Sequence, residues 1–220
     1  MKKTAHHRIT GVVHCLSGMR IGGSDDLLQI GGTDLTCIKH PTTLKPYVPG
    51  SSLKGKMRSE LEKKLGKFGG NGTEPCGCRQ KDCLVCRVFG PHKQVRQPSP
   101  YDLGPTRIIV RDAALLEGGE TELKPENVID RKTGAAKNPR KVERVVAGSK
   151  FAFDIALQIW DIDDDQSLKY AGKEGDASLI EFVKDGLREV QNTGLGSGIS
   201  KGSGQVEFIE LKLDGMPFTL

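Results

Sequence analysis

The strictest constraint on this chain is the run from Phe151 to Trp160. Phe151, Phe153, Ile155, Leu157 and Ile159 alternate there with Ala152, Asp154, Ala156, Gln158 and Trp160. Successive side chains of a strand point to opposite faces, so the run predicts a strand with one strongly apolar face. Such a face has to be covered, and two amphipathic helices are available to cover it. The first spans Ser51 to about Lys67, with Leu53, Met57, Leu61 and Leu65 at four-residue intervals and Ser51 or Ser52 as its expected cap. The second opens at Asp176, carries Leu179, Val183, Leu187 and Val190 on one face and is stopped by Gly194. Further strands are predicted over His7–Leu16, Arg107–Leu116 and Gln205–Leu213, with a short extended piece over Leu35–Lys39. The order strand, helix, strand, strand, helix, strand predicts an α+β fold with a ferredoxin-like (RRM-like) core.

At 220 residues the chain is long enough for that core and two insertions in a single domain over 1–220. Residues 66–105 are punctuated by glycine and proline and read as the first insertion. It contains Cys76, Cys78, Cys83 and Cys86, four of the six cysteines. Short spacings let one loop supply two thiolates each to a tetrahedral zinc ion, with His92 in reserve because the Cys76–Cys78 pair is unusually tight. Four protein ligands leave no position for a reacting water, so the zinc is expected to be structural. Cys15 and Cys37 read as packed thiols, and His14 as a strand-surface or core residue. The second insertion, 117–150, is a charged segment whose Gly134-Ala135-Ala136 suggests a turn between two arms.

The net charge of +5 fits a polyanionic partner without requiring one. No apolar run is long enough to span a bilayer, so the chain is read as cytoplasmic, with no membrane partner. Between Arg20 and Lys39 lies an acidic glycine-rich loop bearing Asp25, Asp26 and Asp34. It leads into Pro49-Gly50-Ser51-Ser52-Leu53-Lys54-Gly55-Lys56-Met57-Arg58, a basic helix start that reads either as a solvated face or as a phosphate site. A second glycine loop, Gly194 to Gly204 with Lys201, precedes a strand rather than a helix. It is therefore neither a dinucleotide fingerprint nor a P-loop, but it allows close backbone approach to a ligand. Asp161 to Asp165 lacks the glycine and glutamate of a calcium loop and reads as an acidic turn. Aromatics are 5% of the chain and form no stacking strings on the predicted strands, so RNA contacts would come from loops and backbone.

Several of these motifs occur together and in order: Ile21-Gly22-Gly23-Ser24-Asp25, Ile30-Gly31-Gly32-Thr33-Asp34, Pro49 to Arg58, Phe89-Gly90, Glu126 to Arg131 and the glycine run before the last strand. In order and spacing they resemble the RAMP superfamily, in particular the repeated backbone subunits of type III-A CRISPR effector complexes. The resemblance covers about residue 8 to about residue 213. It implies a subunit that binds CRISPR RNA, stacks with copies of itself in a helical filament beside the other subunits of the complex, and cleaves paired target RNA at regular intervals. Asp34 would be the catalytic residue, with Mg²⁺ or Mn²⁺ as the catalytic ion. Arg20, Ser52, Lys54, Arg58, Arg131 and Lys201 would bind RNA, and a thumb-like β-hairpin insertion would occupy 117–150. Arg20 stands where many relatives carry histidine, which argues against a histidine base there. Two other readings stay open: a non-catalytic RNA-binding scaffold in which Asp34 only caps a turn, and a stand-alone zinc-containing RNA-processing enzyme.

Overall fold

The computed structural model describes residues 1–22, 35–92 and 101–220. In chain order its elements are β1 (Lys3–Cys15), α1 (Gly50–Leu65), β2 (Phe68–Gly69), β3 (Glu74–Pro75), α2 (Leu84–Phe89), β4 (Ile108–Val110), β5 (Ala114–Glu117), β6 (Thr121–Ile129), β7 (Ala136–Val145), β8 (Lys150–Trp160), β9 (Lys169–Tyr170), β10 (Lys173–Glu174), α3 (Gly175–Thr193), β11 (Val206–Leu213) and β12 (Met216–Pro217). The main sheet runs β12-β11-β1-β8-β4, with β5 also paired to β8, and its pairings are antiparallel. The molecule is thus α+β, with an antiparallel sheet.

Inside this sheet β8 lies between β1 and the β4/β5 edge. Phe151, Phe153, Ile155, Leu157 and Ile159 are all buried, and Ile9 and Val13 of neighbouring β1 join them. Burying each such side chain contributes about 1.5–3 kcal/mol. The covering layer is α1 and α3, through Leu53, Met57 and Leu61 on one side and Leu179, Phe182, Val183, Leu187 and Val190 on the other. Gly186 sets how closely the two helices approach. A Cβ there would meet Met57 Cε at 3.0 Å and Leu61 Cδ1 at 3.1 Å. Leu65 is 39% exposed, because α1 ends there at a left-handed Gly66 instead of continuing to Lys67.

Both helix starts differ from expectation. Neither Ser51 nor Ser52 caps α1: the helix begins at Gly50, and the Gly50 amide donates to Asp112 Oδ1 at 2.8 Å. Asp112 comes from a break in the predicted second core strand, which is two strands, β4 and β5, separated by Arg111, Asp112 and Ala113. The break exists because Ala113 turns away from β8 and exchanges backbone hydrogen bonds with Val48, at 2.8 and 3.0 Å. Gly50 is required at this junction, since a Cβ would lie 2.2 Å from the Val110 carbonyl oxygen. At α3, Asp176 lies inside the first turn and Glu174 holds the cap position without a side-chain bond, while Gly194 ends the helix as predicted.

Residues 117–150 contain the antiparallel pair β6–β7, turning at Asp130 to Ala135. Asp130 Oδ1 accepts from the Lys132 and Thr133 amides at 2.8 and 3.0 Å, and this Asx-type turn leaves Arg131 exposed at the tip. At the base of the hairpin Val142 and Val145 are buried.

The acidic turn after β8 is more than a turn. Asp163 is fully buried and accepts from Arg107 Nε at 2.8 Å, Arg107 Nη2 at 2.8 Å, Arg87 Nη1 at 2.9 Å and the Trp160 amide at 2.9 Å. A buried carboxylate is tolerated only when it is paired and its lone pairs are filled, and here both conditions hold. The triad ties α2, the strand edge and the end of β8 together.

Candidate functional site

Asp34, Asp25 and Asp26 lie outside the described residues. The chain immediately after Asp34 is described and is firmly held. Leu35 bridges Val142 of β7, and its carbonyl accepts from the Glu143 amide at 2.9 Å. Glu143, 8% exposed, takes the Cys37 amide at 2.9 Å, Lys39 Nζ at 2.7 Å and Thr121 Oγ1 at 2.9 Å. Burial pushes the Glu143 carboxyl up, but the bonds from Lys39, Cys37 and Thr121 outweigh it and hold the group below its ordinary value. The Cys37 thiol is pushed up to about 11, first by burial and then by the Glu143 charge, which fits a packed thiol. Cys15 is likewise buried and pushed up to about 12.

The basic helix start sorts into free and committed cations. Lys56 and Lys63 pair with Glu60 at 2.6 and 2.8 Å, and Lys64 pairs with Asp185 and Glu189 at 2.7 Å each. Arg58 turns inward: Nε meets Glu62 at 2.8 Å and Nη2 meets the Cys76 carbonyl at 2.8 Å. No carboxylate among the described residues pairs with Lys54. Burial, reinforced by the Arg58 charge, lowers its ammonium from the ordinary value, so an anion beside it would be welcome. Ser52 is half-buried one turn from the Asp112 carboxylate. Asp112 thus occupies the first amide of the helix.

The second glycine loop folds back on the chain around Arg20. Leu195 and Gly204 are joined by a backbone bond at 2.8 Å, and a Cβ on Gly196 would lie 2.3 Å from the Arg20 carbonyl oxygen. These glycines serve close packing of backbone on backbone. Arg20 Nη1 donates to Ser197 Oγ at 3.1 Å. Lys201 pairs with Glu126 at 3.1 Å, and its carbonyl accepts from Lys124 Nζ at 2.6 Å. Arg144 reaches the same loop through Ser203 Oγ at 3.3 Å. Arg20, Lys201, Lys124 and Arg144 therefore gather on one face where β6–β7 meets the loop, while Arg131 stands apart at the hairpin tip. Sequence reading singled out Arg20 and Lys201. Lys124 and Arg144 were missed because only the fold brings the hairpin base against this loop.

The four cysteines of the insertion converge. Sγ separations are 3.6 Å for Cys76–Cys78, 3.8 Å for Cys76–Cys83, 3.7 Å for Cys76–Cys86 and 3.9 Å for Cys78–Cys86. Four sulfurs about 2.3 Å from a common ion stand about 3.8 Å apart in a tetrahedron, so the donors present fit a closed Cys₄ centre. His92 is not among them. Its amide donates to the Cys76 carbonyl at 3.1 Å, and its ring lies 4.0 Å from Glu74. Hydrogen bonds from Cys83 and Cys86 favour the Cys76 thiolate, lowering that group to about 2, while the bond to Cys76 pushes Cys86 up to about 12.

Residues 12–207 match the sequence profile of the RAMP superfamily. The chain belongs to the RAMP superfamily. This RAMP chain is 38% identical over 242 residues to the CRISPR system Cms endoribonuclease Csm3 of Methanothermobacter thermautotrophicus, with 99% of the chain and 89% of the relative covered. It is 37% identical over 207 residues to the protein of the same name from Streptococcus thermophilus, covering 89% of the chain and 84% of that relative. Among solved structures it resembles a chain of the Csm3-Csm4 subcomplex of the type III-A CRISPR-Cas interference complex, with TM-score 0.56, 26% identity and 97% and 80% coverage of the two chains. A chain of the type III-B Cmr-beta complex bound to cognate target RNA shares the fold at TM-score 0.60 and 17% identity, covering 95% of this chain and 61% of that one. No helix among the described residues is long and apolar enough to cross a membrane.

Proposed function

We propose that this RAMP chain is a CRISPR RNA-binding backbone subunit of a type III-A effector complex and an endoribonuclease that cuts complementary target RNA. The observation that carries this reading is the 38% identity across 99% of the chain to a Csm3 endoribonuclease. CRISPR RNA, target RNA, other Csm subunits and further copies of the chain in a filament are its partners in this reading. The antiparallel sheet is read as a ferredoxin-like core, the cysteine insertion as a structural zinc centre held by Cys76, Cys78, Cys83 and Cys86, and β6–β7 as the thumb that separates nucleotides. Lys54 with Ser52 grips backbone phosphates at the helix start. Arg20 and Lys201 act at the glycine loop, and Arg131 acts at the hairpin tip.

RNA supplies its own nucleophile. The 2′-oxygen attacks the adjacent phosphorus, that bond forms as the bond to the 5′-oxygen breaks, and the enzyme must align the two in line and offset developing charge. Asp34 is assigned to that task, either orienting the 2′-hydroxyl or holding Mg²⁺ or Mn²⁺. A divalent ion there would supply charge stabilisation as the phosphorane forms. The leash from Leu35 to Lys39 on Glu143 sets where the loop that bears Asp34 ends.

Assembled complexes carrying Asp34→Ala should bind guide-matched RNA nearly as wild type and lose cutting at every repeated position. A carboxylate beside phosphate adds nothing to ground-state binding and acts in the transition state. Cutting at wild-type positions and rate would leave the subunit a scaffold.

A further inference from the structure

We infer that Arg58 and Glu62 of α1 are positioning residues for the metal centre, clamping Cys76. The inference rests on the reading of the four cysteines as a metal site.

The geometry is specific. Both backbone groups of Cys76 are held by this pair, the carbonyl jointly with the His92 amide at 3.1 Å. The Cys76 amide donates to Glu62 Oε1 at 2.9 Å, and its carbonyl accepts from Arg58 Nη2 at 2.8 Å. Arg58 Nε meets the same Glu62 oxygen at 2.8 Å, which closes a ring of three contacts. Side-chain exposure is 19% for Arg58 and 7% for Glu62, so the ring is largely shielded from water. Cys76 is also the sulfur within 4 Å of each of the other three. Fixing its backbone fixes the vertex from which the tetrahedron is built.

A guanidinium is needed for this arrangement, because only a planar fork reaches Glu62 and a carbonyl at once. The residue spacing agrees: Arg58 and Glu62 are four apart on a helix, so both project from one face toward the insertion. Partners that orient metal ligands without touching the metal typically set affinity by 10–100-fold when removed. A helix that holds the cysteine loop this way makes the insertion's metal and the neighbouring Lys54 parts of one rigid unit.

The test is zinc release from purified full-length protein to a chromophoric chelator under native conditions. Wild type should hold about one zinc per chain and release it slowly. Arg58→Ala and Glu62→Ala should release it roughly 10–100-fold faster. Arg58→Lys should fall with Arg58→Ala, and it keeps the inference testable should the alanine variant fail to fold. Lys54→Ala should release zinc as wild type does. Val206→Ala, a core truncation in β11, should do so too, even where its unfolding midpoint drops as far as that of Arg58→Ala. Wild-type release rates in Arg58→Lys and Glu62→Ala would overturn the clamp while leaving the metal site standing. A folded wild-type protein with no zinc and four freely titrating thiols would overturn both.

Discussion

At the scale of single residues, the sequence conceals its most consequential side chain. Asp163 reads as one carboxylate in an exposed acidic turn, yet it is the buried acceptor for Arg87 and Arg107, which lie 76 and 56 positions away. No local pattern announces a partner that distant. Removing one member of a buried ion group strands the others, at a cost of about 3–5 kcal/mol. Asp163→Ala should therefore lower the unfolding free energy measured in urea by that much, whereas the neighbouring Asp161→Ala should be nearly silent; equal midpoints would show the triad to be dispensable. Lys54, by contrast, was legible. Its position in the first turn of a basic helix suggested a phosphate contact, and the structure leaves it without a described counter-ion while its neighbours are paired. Arg58 looked equivalent in sequence. Helical spacing places it a turn further on, beside an acid and a cysteine loop that only the fold brings near.

At the scale of elements, period was a sound guide wherever one face is buried. The four-residue spacing of Leu53, Met57 and Leu61 and the alternation of β8 both survive in the structure, because each pattern states which face must leave water. What period could not show was the break between β4 and β5. Ile108 to Val110 and Ala114 to Glu117 both look extended, and the turn between them is set by the pull of Val48 on Ala113. The hairpin base supplies a pH dependence at this scale. Glu143 is held below its ordinary value, so its contribution is present above the unfolded carboxylate range, near pH 4.3, and is lost as pH falls through the lower folded value. Amide exchange at Cys37 should stay slow from neutral pH down to that range and then quicken on further acidification, over and above the intrinsic pH effect. Glu143→Gln should quicken it already at neutral pH. Slow exchange in that variant would mean that the segment is held by other contacts.

At the scale of the whole molecule, the cations matter collectively. A chain of net charge +5 binds single-stranded RNA with a salt dependence set by how many phosphates it neutralises. Lys54→Ala should reduce the slope of log affinity against log salt by about 0.7 and weaken all guide sequences alike. An unchanged slope would remove the helix start from the interface. The order of the core strands and helices was readable from the chain. The basic face was only half readable, because Arg144 and Lys124 reach it from a hairpin that folds back over the glycine loop.

The interruption beside Asp112 has a consequence for how such subunits can associate. A long flat border strand is an open template on which another chain can add its own backbone. Here one border is cut into pieces of three and four residues, and the opposite one, β12, has two residues. Neither border strand presents more than a few amides in line, although the outer side of β11 from Val206 to Glu210 lies beyond the reach of β12. In the filament proposed for these chains, such short borders would shift the ordering toward side-chain contacts and the bound nucleic acid.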